Sequence, residues 1–397
     1  METVAAGTER RIAWPVSRLD FAGAFGDIGV LFPIAIALIT LNHLNATAVF
    51  LVAGGAYVMA GWYFRVPMAV QPFKAVAAIS LALGLSPQEI ASAGLLIGVL
   101  LAFIAITNLG GVIARFFTLP VVRGIQLGLG LLLLREGVRL ISAKQTILVW
   151  NHISFRGWEL ALICAILLVI FIRSDRIPAS LLVLGVGIVI GVWAYGAGLR
   201  NLRWQPVPLA LIRLDPYVLW KVLPLLVIPQ FALTFGNSIV ASENTARLLY
   251  GERANRVTIR GLAGSIAIMN IASALVLGSP LCHGSGGITA HYKFGARTPK
   301  SNYVIGAACL LLAAIGTAAV AVLRLIPIAA LGVFLIYVGI QHALYLRDIV
   351  KRLPFLLIAI SVGLVALFTT NLMWGFFAGL VLQAIIAFPT LRDSLRA

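Results

Sequence analysis

Two acidic residues lie well inside long apolar stretches of this sequence, where charged side chains are rare. Of thirteen Asp and Glu residues, only Asp27 and Glu243 are placed in this way. A carboxylate at membrane depth is costly and usually marks an ion path or a proton relay. The alternative is a structural ion pair with Lys74 or Arg123. Asp27 is therefore a candidate proton carrier that could instead neutralise Lys74.

Lys74 follows an unusual segment, Val66-Pro67-Met68-Ala69-Val70-Gln71-Pro72-Phe73, that contains two prolines. Proline is well tolerated where a helix begins, because the amide that it lacks would have no partner there. A helix that begins after Pro72 would turn its free amides and its positive dipole end toward an anion. Lys74 would add a positive charge to such a site, or would neutralise one of the two carboxylates.

A second unusual segment runs Gly278-Ser279-Pro280-Leu281-Cys282-His283-Gly284-Ser285-Gly286-Gly287. Its glycines allow close backbone approach, and successive amides can form an anion-binding concavity. Ser285 and His283 would add side-chain donors. Tight helix packing is the alternative role of glycine in an apolar chain. We expect that role at four other glycines: Gly94, Gly98, Gly124 and Gly128.

Cys282, His283 and His291 also suggest a transition-metal site as an alternative. Their spacing matches no common zinc pattern, and no acidic cluster completes the set. The sequence contains no nucleophile–base motif, Walker loop or dinucleotide-binding fingerprint. We therefore expect no enzyme, no ATP-driven pump, and neither a metal nor a cofactor.

The composition predicts what surrounds these residues. The chain of 397 residues is 61% hydrophobic and 11% charged, whereas soluble domains have about 45–50% and about 25%. So few charges predict an all-α integral membrane protein. The net charge of +17 does not indicate nucleic-acid binding, because Lys and Arg fill short gaps between apolar runs, as the positive-inside rule requires.

The topology follows from the same charges. A membrane helix needs about 20 mostly apolar residues, and breaks at charges, prolines and polar clusters predict about fourteen spans. With both termini inside, nineteen Lys and Arg face the cytoplasm and nine face outside. We expect a cytoplasmic segment 1–20 without a targeting pattern, a cytoplasmic tail 391–397, and a plain cytoplasmic membrane. The predicted spans are 21–41, 45–64, 67–84, 90–108, 118–134, 157–172, 178–198, 220–247, 258–277, 280–293, 302–323, 325–341, 354–370 and 372–390.

Spans 3 and 10 contain the two unusual segments and are too interrupted to be lipid-facing helices. They hold the same position in each set of seven spans. Phe25-Gly26-Asp27-Ile28 in span 1 similarly matches Phe235-Gly236-Asn237-Ser238 in span 8. Interrupted segments at corresponding positions are typical of inverted-repeat transporters. The sequence thus predicts inverted repeats at 21–200 and 215–390, in which each broken span is a short extended segment followed by a half-helix.

These segments resemble the molybdate transporter family, which is related to the sulfate permeases. The resemblance runs from about residue 20 to about residue 390 and includes Phe25 to Gly29, Pro67 to Lys74, Pro280 to Gly287 and Tyr292 to Thr298. It implies a core domain of spans 1–4 and 8–11 and a gate domain of spans 5–7 and 12–14. The oxyanion would bind between the starts of spans 3 and 10. The soluble C-terminal regulatory domain common among sulfate permeases is not expected.

The resemblance and the residue types together define a candidate site. We expect substrate contacts from Gln71, Pro72, Phe73, Lys74, Cys282, His283, Gly284, Ser285, Gly286 and Gly287. We expect site support or proton coupling from Gly26, Asp27, Asn237, Glu243 and Asn244.

The expected function is molybdate transport by proton-coupled symport with alternating access. Moving negative charge inward against an inside-negative potential costs about 2.3 kcal/mol per charge per 100 mV, so protons carried by Asp27 or Glu243 would help. A carrier of sulfate, or of oxyanions in general including tungstate, stays open, because these anions share charge and shape. An anion channel or a membrane sensor is a further alternative. The oligomeric state is also open, with a homodimer as one candidate.

Overall fold

The computed structural model describes residues 16–114, 118–142, 146–147, 155–171, 179–195, 203–323 and 326–394. Most of the expected cytoplasmic segment (1–15), the last residues of the first predicted repeat (196–200) and the end of the tail (395–397) lie outside the described residues. The described chain is mostly helical, with two pairs of very short strands.

In the first half, the helices overlap the predicted spans, apart from the short helix at Gly110–Ala114, which lies between the fourth and fifth. They are α1 (Arg18–Ala24), α2 (Ile28–Leu41), α3 (Ala46–Phe64), α4 (Lys74–Leu83), α5 (Pro87–Thr107), α6 (Gly110–Ala114), α7 (Leu119–Ser142), α8 (Gly157–Phe171) and α9 (Ala179–Tyr195). The strands are β1 (Gln71–Pro72), β2 (Thr146–Ile147) and β3 (Phe155–Arg156).

The second half follows the same course. Its helices are α10 (Pro216–Val222), α11 (Ile228–Leu233), α12 (Ala241–Tyr250), α13 (Ile259–Leu275), α14 (Ser285–Lys293), α15 (Lys300–Ala314), α16 (Gly316–Leu323), α17 (Ile328–Ala343), α18 (Leu353–Thr369) and α19 (Leu372–Ser394). The remaining strand is β4 (Leu281–Cys282), which pairs with β1, while β2 pairs with β3.

Several of these helices are long and apolar enough to cross a bilayer. By length and composition, four helical stretches of the described chain qualify: Ala46–Phe64, Pro87–Thr107, Pro216–Ala254 and Ile328–Asp348. The bent pair α15 and α16 makes a fifth if it is one span. Other apolar helices have 10–17 residues. Most of the described helices lie where spans were predicted, and the count of fourteen crossings stays a prediction.

Two predicted spans are broken where the sequence analysis expected continuous helices. The first breaks at Phe25–Asp27, between α1 and α2. The eleventh bends by 93° between α15 and α16. At this bend Thr47 donates its hydroxyl to the carbonyl oxygen of Ala313 at 3.0 Å, and a Cβ atom at Gly316 would lie 2.0 Å from the same hydroxyl oxygen. A polar side chain from α3 thus enters the break, and Gly316 leaves room for it.

The predicted eighth span is part of a longer helical stretch. Pro216–Ala254 runs without a gap, but its residues Leu223–Val227 and Thr234–Val240 are π-helical. Local π-helix frequently occurs at functional sites. The second π segment contains Asn237, the residue that the sequence analysis matched to Asp27. Both matched positions therefore depart from regular α-helix.

Helices of the two halves pack against each other. The most extensive pairs are α3 with α15, α5 with α13, and α7 with α17 and α18, while α8 also packs on α17. Backbones approach closely where α7 crosses α17, because a Cβ atom at Gly130 would lie 2.6 Å from the Gly339 oxygen, and one at Gly137 would lie 2.6 Å from the Gly332 oxygen. The apolar core is thus continuous across both halves.

The glycines expected to serve packing do so. Added Cβ atoms at Gly124 and Gly128 would lie 2.5 Å from Val362 and 2.8 Å from Ala366, both on α18. At Gly94 and Gly98 the nearest atoms, at 3.0 and 3.1 Å, belong to Pro280 and to α13. These contacts confirm that prediction, and they fix the helices around the segment that contains Pro280.

Candidate functional site

The two unusual segments are brought side by side. Strand β1 pairs antiparallel with β4, with Gln71 opposite Cys282 and Pro72 opposite Leu281. The Phe73 amide adds a hydrogen bond to the Pro280 oxygen at 2.9 Å. Each strand leads into a short helix, α4 at Lys74 or α14 at Ser285. The starts of these two helices therefore lie together in the protein interior.

Two buried asparagines that the sequence analysis missed hold these segments in place. Asn270 on α13 accepts a hydrogen bond from the Leu281 amide at 3.0 Å and donates to the Leu281 oxygen at 2.6 Å. Asn302 on α15 does the same for Met68, at 2.9 and 2.8 Å. Each asparagine satisfies both polar groups of one extended residue. A lone buried amide in an otherwise apolar helix is the signal that would have found them.

The start of α4 is closed by a protein side chain. The Oε1 atom of Gln230 accepts hydrogen bonds from the amides of Ala75 and Val76, at 2.9 and 3.2 Å. Those amides are therefore occupied, which differs from the expectation that they face an anion. The Lys74 side chain is 7% exposed and makes no ion pair among the described residues. At this helix start, Lys74 supplies the positive charge.

The start of α14 is open by contrast. Its N-cap, Gly284, has no side-chain capping bond, and in the described chain the amides of Ser285, Gly286 and Gly287 have no protein acceptor. The Ser285 hydroxyl donates to Oδ1 of Asn237, in the π segment, at 3.3 Å. Three free amides, a hydroxyl group and the positive end of a helix dipole form a suitable anion site.

Asp27 lies directly behind this open helix start. The Nε2 atom of Gln71 is 2.7 and 2.6 Å from the two carboxylate oxygens of Asp27. A Cβ atom at Gly287 would lie 2.5 Å from Oδ2 of Asp27, and one at Gly284 would lie 2.5 Å from Oε1 of Gln71. These two glycines are needed so that the buried Asp27–Gln71 pair can approach the backbone of α14.

His283 is placed differently from the expectation that it donates to the anion. Its Nδ1 atom is 2.8 Å from the Ala69 oxygen, and its Nε2 atom is 2.9 Å from the Ser265 hydroxyl. The ring is fully buried, so both nitrogens already have protein partners. Its neighbour Cys282 is also buried. The imidazole therefore positions the segment Leu281–Gly284 between β1 and α13.

The metal-site alternative finds no matching geometry in the described chain. His291 is buried, with Nδ1 at 2.7 Å from the Gly23 oxygen, and its ring contacts Tyr57 edge-on. No group of three His, Cys, Asp or Glu side chains that could hold a metal ion occurs among the described residues.

Gly26 lies in the turn between α1 and α2. A Cβ atom at Gly26 would lie 2.7 Å from the Ala290 oxygen, so α14 packs closely on this turn.

Glu243 and Asn244 make no hydrogen bond or ion pair with Asp27 or Gln71 in the described part of the chain. Glu243 is paired at 2.8 Å with Arg247, one turn along α12. Asn244 is exposed. The alternative for the carboxylates was an ion pair with Lys74 or Arg123. Among the described residues, neither Asp27 nor Glu243 forms such a pair, and Arg123 bonds to Asp348 instead. Of the two acidic candidates, Asp27 is the one beside the open start of α14.

Side chains from α7 and from the segment after α17 close the site on another side. Arg123 donates to Gln126 at 2.9 Å, and Gln126 lies 3.5 Å from Oδ1 of Asn237. The Tyr345 hydroxyl would lie 3.3 Å from a Cβ atom at Gly286. Arg123 also lies over the ring of Tyr345. Helix α7, which belongs to the expected gate domain, thus contributes polar groups here. The sequence did not predict this contribution.

The far end of α14 is tied to α1 through Asp20, just before the first predicted span. Its carboxylate accepts hydrogen bonds from the amides of Arg297 and Thr298, at 2.8 and 2.9 Å, and from the Thr298 and Ser17 hydroxyls. Burial raises the pKa of Asp20, but these hydrogen bonds outweigh burial and hold the pKa below its usual value. Ionised Asp20 therefore fixes the loop after α14.

The fold is found in solved membrane proteins that carry anions. The transmembrane domain of the cyanobacterial bicarbonate transporter BicA matches with a TM-score of 0.67 at 17% identity, covering 91% of this chain and 97% of that domain. The murine solute carrier 26 family member A9 anion transporter, in its inward-facing state, matches with a TM-score of 0.70 at 14% identity, over 97% of this chain and 70% of the other. The chain therefore has the transmembrane fold of these anion transporters and is an integral membrane protein.

Sequence relatives define the family more narrowly. Residues 20–133 and 223–341 match the family described as "Molybdate transporter of MFS superfamily", and the chain belongs to this molybdate transporter family. It is 26% identical to molybdate transporter 2 of Arabidopsis thaliana, over 98% of this chain and 93% of that protein. It is also 26% identical to molybdate transporter 1 of Arabidopsis thaliana, over 92% and 88%. The protein is thus a transporter rather than an enzyme.

Proposed function

We propose that this protein transports molybdate through the membrane by proton-coupled symport with alternating access. The observation that carries the proposal is the open start of α14, where three amides with no acceptor in the described part of the chain lie next to the Ser285 hydroxyl. A tetrahedral oxyanion can accept hydrogen bonds from the three amides, and from the Ser285 hydroxyl once that hydroxyl turns from Asn237 to the anion. Lys74, at the adjacent start of α4, would offset part of the anion's charge.

Asp27 is proposed as the proton carrier because of its position beside the same amides. An ionised carboxylate there repels an incoming dianion, and a proton on Asp27 removes this repulsion. A protonated carboxyl group then needs an acceptor for its own hydrogen. The Oε1 atom of Gln71 is buried and has no partner among the described residues, and rotation of the Gln71 amide would present it to Asp27. Proton uptake and anion binding would thus favour each other.

The membrane organisation proposed is fourteen spans in two inverted repeats, at 21–200 and 215–390, divided into a core and a gate domain. The helix pairs support the repeat. Helices α3, α5, α13 and α15 lie in predicted spans 2, 4, 9 and 11. Exchanging each span for its counterpart seven spans away therefore turns the pair α3–α15 into the pair α13–α5. The pairs α7–α17 (spans 5 and 12) and β1–β4 (spans 3 and 10) are unchanged by the exchange. Such exchange symmetry is expected for inverted-repeat transporters with the site at the repeat interface.

Molybdate binding to variants of Lys74 tests the site. We expect Lys74→Gln to weaken molybdate binding about tenfold or more, because a hydrogen bond to a charged group contributes about 1.5–3 kcal/mol and 1.4 kcal/mol is a tenfold change. Isothermal titration of the purified protein measures this. Lys221→Gln is the matched control, since Lys221 pairs with Glu89 at the surface. Equal affinities of Lys74→Gln and the control would place the anion elsewhere.

A further inference from the structure

A groove runs along the outer surface of α13, away from the proposed anion site. It consists of two adjoining cavities between α3 and α13, of about 510 and 360 Å³, and Met59 and Ile268 line both. Helix α5 lines the first cavity as well. Along α13 it extends from Arg260 to Val276, which is about 24 Å at 1.5 Å per residue. One leaflet of a bilayer core of about 30 Å is shorter than this. The groove is long enough for a whole acyl chain.

Small residues create the groove. Gly55 has no atom within 4 Å of an added Cβ position, and at Gly264 the nearest atom is Cβ of Ala105 at 3.8 Å. Large apolar side chains form the rims, with Trp62 70% and Ile106 77% exposed. Exposed apolar residues alone are ordinary on a membrane protein, whereas a long concave track bordered by them fits one linear apolar chain.

The groove has one polar end. Arg260, Thr258 and Tyr63 line the first cavity. Arg256 donates to the backbone carbonyl oxygen of Tyr63 at 3.3 Å. Arg260 is exposed and makes no ion pair in the part of the chain that the structure describes. The opposite end, at Leu51 and Val276, is lined only by apolar residues and glycine. The groove thus has a positive charge at one end and apolar surface along the rest, which matches the negative headgroup and the apolar chain of an anionic phospholipid.

We propose that this groove binds one anionic phospholipid, with the phosphate at Arg260 and Thr258 and an acyl chain along α13. The charge pattern of the sequence assigns the loop with Arg253, Arg256 and Arg260 to the cytoplasmic side, where anionic lipids are concentrated. Trp62 and Tyr63 stand at the same end, as aromatic residues do at the membrane–water interface.

The lipid would also contact the back of the anion-binding segment. Ser265 lines the groove, and its hydroxyl is the partner of His283 at 2.9 Å. His283 in turn bonds to Ala69 next to β1. An occupied groove therefore supports α13 where it holds the binding segment. The proposal does not depend on which anion is transported, because it rests on surface residues outside the anion site.

Native mass spectrometry of the detergent-purified protein tests the proposal. Dioleoyl phosphatidylglycerol and dioleoyl phosphatidylcholine, which share their acyl chains, are titrated separately. We expect phosphatidylglycerol to bind about fivefold more tightly, the contribution of one basic residue near a charged lipid. Arg260→Gln should remove this preference, and Gly264→Leu, which fills the groove, should weaken both lipids. Arg352→Gln removes a positive charge outside the groove and should keep the preference.

Three results would overturn the proposal. One is equal binding of the two lipids to the unaltered protein, and another is an unchanged preference in Arg260→Gln. The third is a Gly264→Leu variant that binds both lipids normally but shifts the protein from dimer to monomer in light scattering, because the groove would then be a contact between copies. Thermal unfolding and molybdate binding check that Gly264→Leu is folded. If it does not fold, Arg260→Gln alone decides.

Discussion

Two glycines allow the Asp27 carboxylate to approach the open start of α14. Gly284 and Gly287 let Gln71 and Asp27 lie against the backbone of α14, at distances that any side chain would prevent. This arrangement puts a titratable group next to three free amides without making it part of the anion's hydrogen-bonding shell. Under the proposed mechanism, this proximity couples proton binding to anion binding through charge.

Asp27→Asn separates coupling from binding. The neutral amide resembles protonated Asp27, so we expect molybdate binding and molybdate–molybdate counterflow to persist while acceleration of uptake by an inward proton gradient disappears. Counterflow and gradient-driven uptake in proteoliposomes measure the two properties. Glu243→Gln is the matched control, because Glu243 pairs with Arg247, and it should keep the gradient response. A normal gradient response in Asp27→Asn would exclude Asp27 as the proton carrier.

At the scale of elements, short half-helices need support from outside themselves. Helix α14 has nine residues, fewer than an isolated helix needs in water. Asn270 holds the strand before it, and Asp20 holds the loop after it. The support from Asp20 depends on the ionisation of its carboxyl group, so it depends on pH.

Asp20→Asn should lower thermal stability at neutral pH and less so in acid. Because the pKa of folded Asp20 lies below its usual value of 3.8, its contribution to stability is present above that value and is lost as pH falls through the folded pKa. We therefore expect the difference in Tm from the unaltered protein to be largest near pH 7 and to shrink below about pH 4. Exposed Glu252→Gln is the control. A difference in Tm that does not change with pH would contradict this role.

The crossing of α7 and α17 makes a second prediction about an element. Alanine in place of glycine inside a helix normally stabilises by about 1 kcal/mol, but a Cβ atom at Gly130 would lie 2.6 Å from the Gly339 oxygen. We expect Gly130→Ala to destabilise instead, by about 1–3 kcal/mol as for other overpacked sites. Gly185→Ala, on α9, has open space around the added Cβ atom and should not lower Tm. Thermal unfolding of both variants decides, and equal Tm values would show that the crossing relaxes freely.

At the scale of the whole molecule, the sequence predicted those features that depend on local pattern. Apolar length located most helices, and the prolines and glycines located the two extended segments that pair as β1 and β4. The bend at Gly316 was missed because it depends on Thr47, 266 residues before its acceptor Ala313. The closure of α4 by Gln230 was missed for the same reason, since 155 residues separate Gln230 from Ala75.

The same distinction applies to the site residues. Lys74, Ser285 and Asp27 were chosen as candidates because a charge, a hydroxyl or a carboxylate is conspicuous in an apolar stretch, and the structure brings them close together. The partners of His283 could not be predicted, because Ala69 and Ser265 come from two other segments and neither has an unusual composition around it. Local sequence identifies which groups are expensive to bury, and only the fold shows which partner satisfies each of them.

Uptake of labelled molybdate into proteoliposomes, with and without an inward proton gradient, decides whether the protein is a proton-coupled molybdate transporter. We expect saturable uptake that the gradient accelerates and that a large excess of sulfate inhibits only weakly. Full inhibition by sulfate would keep the site and the fold but make the protein a general oxyanion carrier. Saturable uptake that is indifferent to the gradient would contradict proton coupling, and the absence of saturable uptake under both conditions would contradict molybdate transport itself.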